Sequence, residues 1–284
     1  MTLHEHTARA CDRLTRAGLP RDEAALDARL LAQFLLGWHD VRFVTAGGEP
    51  APSGFAARYE PLVSRREQRE PLAYITGHRE FWGLDFEVSP AVLIPRPETE
   101  LIVEAALELL PDRAAPHAMA DACTGSGCLA VALAHEYHAA HIVATDTSSD
   151  ALRVARRNAV AHDTAERIEL LKTDLLVGTR GTFHLIVSNP PYVAELDREA
   201  LQPEVRDHEP AIALFAGDDG MGIIKRLVSE APPRLASGGL LLFEFGFGQA
   251  AAVEGLIGRA SGLTMVGLRR DLQDIPRVAI ARRA

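Results

Sequence analysis

The chain has 284 residues, 47% of them hydrophobic, and a formal net charge of −9. This length exceeds that of most single domains, so one large domain or two unequal domains are expected. The acidic balance argues against a protein that binds nucleic acid mainly by neutralising phosphates, and no uninterrupted apolar stretch is long enough to cross a membrane.

Cysteine usage and the N-terminus indicate the compartment. The three cysteines, Cys11, Cys123 and Cys128, are too few for a disulfide framework. The first residues, Met1 to His6, contain no basic stretch followed by an apolar one, so no secretory signal is visible. A reducing cytoplasm is therefore the expected location, and no membrane partner is expected.

Residues 1–73 carry a helical pattern. Apolar residues recur at helical spacing up to Gly37, which is a typical stop signal, and two further helices are predicted over Leu3–Leu19 and Phe55–Arg69. We assign this segment as an N-terminal helical bundle. It could dock a protein substrate, or it could be a purely structural extension.

The next segment changes character. Short β-prone pieces broken by glycine and proline begin near Pro71 and predict a hairpin linker over residues 74–92. Arg96 then lies between two prolines and is held extended, with a helix predicted over Glu98–Leu110. This charged corner could wall a site, or it could pin the linker through an ion pair.

Residues 93–284 alternate between predicted strands and helices, and we assign them to one catalytic domain. Helices are predicted after the glycine loop as far as His135 and over Asp150–His162. The predicted strands are Ala118–Asp121, His141–Asp146, Ile168–Thr173, Phe183–Val187, Leu240–Phe243, Leu263–Leu268 and Val278–Ile280. Regular alternation predicts an α/β, Rossmann-like fold with a mostly parallel seven-stranded sheet covered by helices on both faces.

A glycine loop follows the first of these strands. Gly125 and Gly127 allow the backbone to turn sharply and to approach a ligand at a helix start. Asp146 ends the next strand and can accept hydrogen bonds from both hydroxyls of a ribose. The loop also fits the dinucleotide pattern G-x-G-x-x-A, so glycines alone do not distinguish the cofactor.

The fourth strand ends in Asn189-Pro190-Pro191-Tyr192. The prolines restrict the backbone, so the Asn189 side-chain oxygen and the Pro190 carbonyl become two fixed acceptors beside the Tyr192 ring. A planar NH2 group has two donors and a π face, and it matches these acceptors. The alternative is an ordinary proline-rich turn that ends a core strand.

Several motifs together identify a family. Ile94-Pro95-Arg96-Pro97-Glu98-Thr99-Glu100, Thr124-Gly125-Ser126-Gly127 and Ser188-Asn189-Pro190-Pro191-Tyr192-Val193 resemble the HemK/PrmC family of release-factor glutamine N5-methyltransferases. Arg206-Asp207-His208-Glu209-Pro210 and Asp218-Asp219-Gly220-Met221 extend the resemblance over nearly the whole chain. The resemblance implies S-adenosylmethionine as methyl donor. It implies the glutamine of the Gly-Gly-Gln motif in class 1 peptide chain release factors as acceptor.

The resemblance also implies the site residues. Asn189, Pro190 and Tyr192 would orient the acceptor amide and stabilise charge on its nitrogen, with Pro191 completing the acceptor site. The expected cofactor site comprises Cys123, Thr124, Gly125, Ser126, Gly127, Asp146, Asp174, Leu175 and Asn189. Asp174 could approach the adenine or act as a helix-type cap for the following turn. Cys123 departs from the glycine that relatives commonly have at this position.

Other assignments stay open. The cysteine and the glycine loop also resemble the enzymes that methylate a glutamine of a ribosomal protein. An adenine N6 methyltransferase would use the same four-residue loop on a flipped base, but it should carry a basic strand-binding region. A non-catalytic nucleotide-binding scaffold would not need the loop. His135 and His138 do not form H-E-x-x-H, so no metal site is expected, and a monomer without stable nucleic acid is predicted.

Overall fold

The computed structural model describes all 284 residues, which pack as two compact units. The first unit comprises residues 1–77 and 202–208, and the second comprises residues 78–201 and 209–284. The short segment 202–208 therefore packs with the helical unit, although it follows the Asn-Pro-Pro-Tyr loop in the chain. The sequence pattern does not predict that residues 202–208 pack with a unit other than the one that surrounds them in the chain.

The helices and strands are numbered in chain order. The helices are α1 (Leu3–Arg16), α2 (Arg21–Leu36), α3 (Asp40–Ala46), α4 (Phe55–Glu67), α5 (Leu72–Thr76), α6 (Glu100–Leu109), α7 (Cys128–Glu136), α8 (Ser149–Ala161), α9 (Pro203–His208), α10 (Ala211–Leu214), α11 (Gly222–Glu230) and α12 (Ala250–Arg259). The strands are β1 (His78–Phe81), β2 (Leu84–Glu87), β3 (Ala118–Ala122), β4 (His141–Asp146), β5 (Ile168–Lys172), β6 (Phe183–Ser188), β7 (Leu235–Glu244), β8 (Leu263–Arg270) and β9 (Pro276–Arg283). Short 3-10 helices span Pro97–Thr99, Glu195–Ala200 and Pro232–Arg234.

The first unit is helical, as predicted, with its apolar faces packed together around residues such as Leu14, Leu31 and Phe55. Two local expectations were incomplete. Helix α3 was not predicted, and α5 replaces the start of the β-prone stretch. Pro71 precedes α5 and Gly77 ends it in the left-handed conformation, so capping and burial of the helix outweigh the β propensity of its residues.

The second unit is built on a seven-stranded sheet with the order β5-β4-β3-β6-β7-β9-β8. Strands β3 to β7 pair in parallel, whereas β9 runs antiparallel to both β7 and β8. All seven predicted strands are present, with ends that differ by a few residues. The α/β prediction with a mostly parallel seven-stranded sheet is confirmed.

Alternation along the strands separates two cores. Leu185 and Val187 of β6 join one cluster of buried side chains, whereas Ile186 joins the other. Because successive residues of a strand point to opposite faces, the helices cover the sheet on both sides. The remaining two strands, β1 and β2, form an antiparallel hairpin that belongs to the second unit.

Strand register brings the predicted motifs to one edge of the sheet. Ala122 at the end of β3 is paired with Thr145 of β4 on one side and with Ser188 of β6 on the other. The residues that follow these positions are the glycine loop, Asp146 and Asn189. Three separate stretches of the chain therefore meet at the carboxyl ends of adjacent parallel strands, where such sheets bind ligands.

Candidate active site

A cavity of about 240 Å³ lies at this edge of the second unit. Its polar wall comes from the glycine loop and from the ends of β4 and β6, and much of the rest is apolar. The lining residues are Ala91, Val92, Leu93, Pro95, Thr99, Cys123, Thr124, Gly125, Ser126, Cys128, Leu129, Asp146, Thr147, Ser148, Ala151, Thr173, Asp174, Leu175, Asn189, Pro191, Pro210, Ile212, Ala213, Ile223 and Arg226. All predicted cofactor residues except Gly127 are among them.

The glycine loop uses its two glycines differently. Gly125 has φ +55°, lines the cavity and donates its backbone N–H to Asp146 Oδ2 at 3.0 Å. Gly127 has φ +80° and precedes α7, and a Cβ there would lie 3.0 Å from the Ala155 Cβ of α8. Gly127 therefore permits close packing of α7 against α8, and direct contact with a cofactor stays a prediction for this residue.

Cys123 occupies a left-handed backbone position, with φ +62°. A side chain is strained there, and glycine is not, which gives a physical reason to expect glycine at this position, as the family resemblance does. Burial raises the pKa of the Cys123 thiol, and the negative charge of Asp146 raises it further. The thiol is therefore neutral at physiological pH and unsuited to act as a nucleophile.

Asp146 is held in place by the backbone. Its Oδ1 accepts the Ser148 N–H at 2.8 Å, and its Oδ2 accepts the Gly125 N–H. Burial raises the pKa of Asp146, whereas these backbone hydrogen bonds lower it. Each carboxylate oxygen retains a free lone pair, so the geometry allows both hydroxyls of a ribose to bind.

Asp174 lies two residues beyond the end of β5 and lines the cavity beside Leu175. Its Oδ2 is 2.9 Å from the Arg226 guanidinium of α11. A turn over residues 175–178 follows Asp174, but the Asp174 side chain pairs with Arg226 and accepts no N–H from that turn, so the structure does not show the capping role. The ion pair was not predicted, because it joins residues far apart in the chain.

Asn189 follows β6 and is placed by the strand end. Ser188 anchors that end by donating its hydroxyl to the Ala122 carbonyl at 2.7 Å. Asn189 Nδ2 donates to Thr99 Oγ1 at 2.9 Å, and its Oδ1 has no hydrogen-bond partner within the chain. Because Asn189 lines the cavity, this oxygen is available as an acceptor for a ligand.

The rest of the loop is held by contacts with residues that lie outside it. Tyr192 donates its hydroxyl to Glu244 Oε1 at 2.9 Å, and the Tyr192 carbonyl accepts the Gln249 amide at 2.9 Å. A Cβ on Gly220 would lie 2.3 Å from the same carbonyl oxygen, so glycine is required there. Pro191 lines the cavity, whereas Pro190 and Tyr192 do not, and their contact with an acceptor stays a prediction.

The corner at Arg96 is pinned by an ion pair. Arg96 pairs with buried Glu209, whose second oxygen accepts the Ile94 N–H at 3.1 Å. Pro95 and Pro210 line the cavity on either side of this contact, whereas Arg96 does not. Of the two roles considered for Arg96, the structure thus shows the ion pair, made with the Glu209-Pro210 motif.

Two buried carboxylates were not predicted as part of the site. Asp121 Oδ2 accepts hydrogen bonds from Thr124 Oγ1 at 2.6 Å and Ala130 N at 3.2 Å, and its Oδ1 has no partner. Burial raises the pKa of Asp121 to about 7. Glu244 accepts hydrogen bonds from Thr99 and Tyr192. Asp121 stands directly before the glycine loop in sequence, which was a usable signal, whereas nothing in the sequence connects Glu244 to the site.

These residues fit S-adenosylmethionine. Asp146 offers acceptors for a ribose, Gly125 leaves backbone exposed to the ligand, and Leu175, Ile212 and Ile223 supply apolar walls for a flat base. No group of three or more His, Cys, Asp or Glu side chains could hold a metal ion. None of the helices combines the length and apolar character needed to cross a membrane.

The sheet order, with β9 antiparallel next to β7, and the cavity at the strand ends, with Asp146 and the glycine loop on its wall, define the class of S-adenosylmethionine-dependent methyltransferases. The chain matches two family models, described as PrmC N-terminal domain over residues 5–77 and Methyltransferase small domain over residues 100–205. The methyl donor is S-adenosylmethionine, and the chain is an enzyme of this class.

Close relatives define the family. The release factor glutamine methyltransferase of Cereibacter sphaeroides is 43% identical over 281 residues, which cover 96% of this chain and 98% of that protein. The enzyme of the same description from Koribacter versatilis is 40% identical over 285 residues, covering 100% of this chain and 99% of the relative. The chain belongs to the release factor glutamine methyltransferase family, as its motifs predicted.

Solved structures agree on the fold. The catalytic domain of hMettl16 in complex with an RNA hairpin has a TM-score of 0.58 at 14% identity and covers 88% of this chain and 91% of its own. The 16S rRNA N2 G1207 methyltransferase of T. thermophilus has a TM-score of 0.51 at 18% identity, covering 73% of this chain and 50% of its own. At these identities, both show a shared fold and nothing more specific.

Proposed function

We propose that this enzyme transfers the methyl group of S-adenosylmethionine to the side-chain amide nitrogen of the glutamine in the Gly-Gly-Gln motif of class 1 release factors. The observation that carries the proposal is the unpaired Asn189 Oδ1 on the cavity wall, and Pro190, the next residue in the chain, supplies the second acceptor. The Pro190 carbonyl accepts no hydrogen bond from any loop or turn of the chain. Two such acceptors suit the two hydrogens of a primary amide.

The chemistry follows from positioning. Bound S-adenosylmethionine supplies a methyl group that is already activated by its positive sulfur. Asn189 and the Pro190 carbonyl orient the amide NH2 and favour the positive charge that develops on nitrogen during attack. The proton leaves the nitrogen after attack, so the site needs no strong base.

The first unit is proposed to dock the release factor. Two of its helices, α2 and α3, expose large apolar side chains: Phe34 is 48% exposed, Val41 76% and Val44 65%. A contiguous exposed apolar patch marks a protein-binding surface, and we propose that these three side chains form one. The double variant Val41→Asp, Val44→Asp should therefore raise the KM for the release factor and leave cofactor affinity unchanged. An unchanged KM would remove these side chains from the docking surface.

The cellular context is part of the proposal. All three cysteines are free, which suits a reducing cytoplasm, where release factors act. We propose a monomer that holds no nucleic acid stably, in keeping with the net charge of −9. Light scattering coupled to size-exclusion chromatography tests both points, since a dimer mass or a co-eluting nucleic acid would contradict them.

The decisive experiment is transfer of labelled methyl from S-adenosylmethionine to an intact class 1 release factor, followed by mass-spectrometric mapping. We expect the label on the glutamine of Gly-Gly-Gln, and its loss when that glutamine is replaced by alanine. Ribosomal proteins and an adenine-containing oligonucleotide serve as competing acceptors. Preferred labelling of either would replace the proposed acceptor and keep the methyltransferase class.

A further inference from the structure

A chain of hydrogen bonds runs from Asn189 into the protein interior. Asn189 Nδ2 lies 2.9 Å from Thr99 Oγ1, and Thr99 Oγ1 lies 2.5 Å from Glu244 Oε2. Thr99 and Glu244 are each 1% exposed. Glu244 completes its bonding with Tyr192, whose hydroxyl donates to Oε1 at 2.9 Å.

The polarity of this chain is determined by what each group can donate. An ionised carboxylate only accepts, and Thr99 has a single hydroxyl hydrogen. When Thr99 gives that hydrogen to Glu244, its oxygen can only accept from Asn189. The amide group of Asn189 must then turn its NH2 toward Thr99, which leaves Oδ1 for the cavity.

The alternative amide orientation would disable the site. A flipped Asn189 would present its NH2 to the cavity, and two donors would then face the NH2 of an acceptor glutamine. A buried pair of donors without an acceptor is costly, because each donor has lost its hydrogen bonds to water and gained none. Packing alone does not fix which way the Asn189 amide is turned, because its oxygen and nitrogen ends have nearly the same shape. The hydrogen-bond partners must fix it.

We propose that Thr99 is a positioning residue that sets the orientation of the Asn189 amide, and that Glu244 sets the orientation of the Thr99 hydroxyl. This inference rests on the proposed role of Asn189 in gripping the acceptor amide. Thr99 belongs to the 3-10 helix after the Pro-Arg-Pro corner, and Glu244 ends β7. Three distant segments of the second unit thus cooperate in placing one oxygen atom.

The surroundings of Glu244 are suited to this role. Glu244 forms no ion pair, so its lone pairs are directed at the two hydroxyls. Burial raises the pKa of Glu244, and the charge of Glu98 adds to this effect, whereas Thr99, Tyr192 and Arg277 lower it. The charge of Glu244 and burial raise the pKa of Tyr192 well above its ordinary value, although the charges of Arg96 and Arg277 lower it.

The test is a double-mutant cycle between Thr99 and Asn189. Single-turnover methylation of an intact class 1 release factor is measured at saturating labelled S-adenosylmethionine and saturating release factor. Asn189→Ala should slow the reaction about 10² to 10³-fold, by analogy with loss of one preorganised transition-state hydrogen bond. Thr99→Val, which removes the hydroxyl and keeps the shape, should slow it on the order of 10-fold, with little change in cofactor affinity or in the KM for the release factor.

The cycle distinguishes positioning from support of the fold. In the Asn189→Ala background, Thr99→Val should change the rate by less than about twofold, because the group through which Thr99 acts is already gone. Thr99→Ser keeps the hydroxyl and should restore most of the rate lost in Thr99→Val. Fully multiplicative effects, or a Ser variant as slow as the Val variant, would overturn the proposal. If Thr99→Val does not fold, Thr99→Ala carries the same expectations.

Two further outcomes separate this inference from the proposed function. A wild-type rate for Asn189→Ala would overturn the acceptor-gripping role of Asn189 and the inference with it. A slow Asn189→Ala with a wild-type Thr99→Val would overturn the inference alone. Glu244→Gln should also slow the reaction at unchanged cofactor affinity, because Thr99 and Tyr192 donate to different carboxylate oxygens and a glutamine has only one oxygen. An unchanged rate would remove Glu244 from the chain.

Discussion

The first compact unit buries its carboxylates around arginine, whereas the second unit buries Asp121 and Glu244 without any cationic partner. Arg66, with its side chain 2% exposed, bonds Asp27 at 2.6 Å, Glu204 at 2.8 Å and Glu23 at 2.9 Å. Asp121 and Glu244 instead accept from hydroxyls and one backbone amide.

The pKa shifts follow this difference. Burial by itself would raise the pKa of Glu204, but hydrogen bonds from Arg69 and Arg66 outweigh it, and that pKa is lowered. Burial raises the pKa of Asp121 and of Glu244, because no cation opposes it closely enough. The first unit therefore uses buried charge to hold its helices and the segment 202–208 together.

In the second unit, buried Glu209 is paired with Arg96, but Asp121 and Glu244 stay uncompensated near the cavity. An arginine at this point would neutralise the negative potential that a cationic ligand needs, and S-adenosylmethionine is cationic at sulfur. Burial of Asp121 and Glu244 without a cation therefore lowers the stability of the second unit but favours binding of a positively charged cofactor. The helical unit pairs its buried carboxylates with arginine and does not have this cost. The predictions below test this contrast.

Arg66→Ala should give the largest effect. Removing the guanidinium leaves buried carboxylates without their partner, and breaking such a cluster costs about 3 to 5 kcal/mol of unfolding free energy. Arg65→Ala, one residue away, is the matched control. Its ion pair with Glu70 has the arginine side chain 43% exposed, so its loss should cost under about 1 kcal/mol. Urea unfolding of both variants gives the comparison, and equal losses would contradict it.

Asp121→Asn should change how stability depends on pH. The Asp121 pKa is raised from 3.8 to about 7 in the folded protein. Between about pH 4 and about pH 7, Asp121 has lost its proton in the unfolded chain but keeps it in the folded protein. The contribution of Asp121 to the free energy of unfolding of the wild type therefore falls as the pH rises. The neutral variant lacks the loss and should gain about 2 to 4 kcal/mol relative to wild type between the two ends of this range.

The measurement is denaturant unfolding of both proteins without cofactor at several pH values between 4 and 8. At each pH, the unfolding free energy of wild type is subtracted from that of Asp121→Asn. Carboxylates with a lowered pKa contribute equally to both proteins, so the subtraction leaves only the effect of Asp121. A difference that does not vary with pH would mean that Asp121 is ionised throughout and that its burial has little energetic effect.

Asp146→Ala tests the carboxylate that faces the cavity directly. Loss of a charge-assisted acceptor for ribose hydroxyls should weaken S-adenosylmethionine binding by about 1.5 to 3 kcal/mol in calorimetric titration. Asp150→Ala, at an exposed position four residues later, serves as control and should bind with wild-type affinity. Equal affinities for all three proteins would remove Asp146 from the cofactor site.

The smallest effect concerns the backbone beneath these carboxylates. Cys123→Gly should raise the unfolding free energy by about 0.5 to 1 kcal/mol, because Cys123 has φ +62° and glycine relieves that strain. The same change at Cys128, in the first turn of α7, should lower it by a similar amount, since glycine is unfavourable in a helix. Effects of the same sign at both positions would refute the strain at Cys123.

Much of this protein could be predicted from local sequence. The apolar runs and their spacing predict the seven strands, and the alternation of strand and helix predicts the parallel sheet. Gly125, Asp146 and Asn189 could be placed together from the amino-acid pattern, because each lies at or just beyond the end of a strand that the pattern identifies. Parallel strands end at one edge of a sheet, and this rule is enough to bring the three residues to the same site.

The tertiary structure alone decided which groups contact one another across the chain. Arg96 pairs with Glu209, Asp174 with Arg226, and Asn189 with Thr99, and none of these pairs is close in sequence. The same holds for the segment 202–208, which Glu204 ties to Arg66 and Arg69. Local propensity reports only on neighbours along the backbone, whereas the direction of a hydrogen bond to Asn189 depends on buried groups that approach it through space. For that reason Glu244, which no motif singles out, became visible as part of the site only in the folded chain.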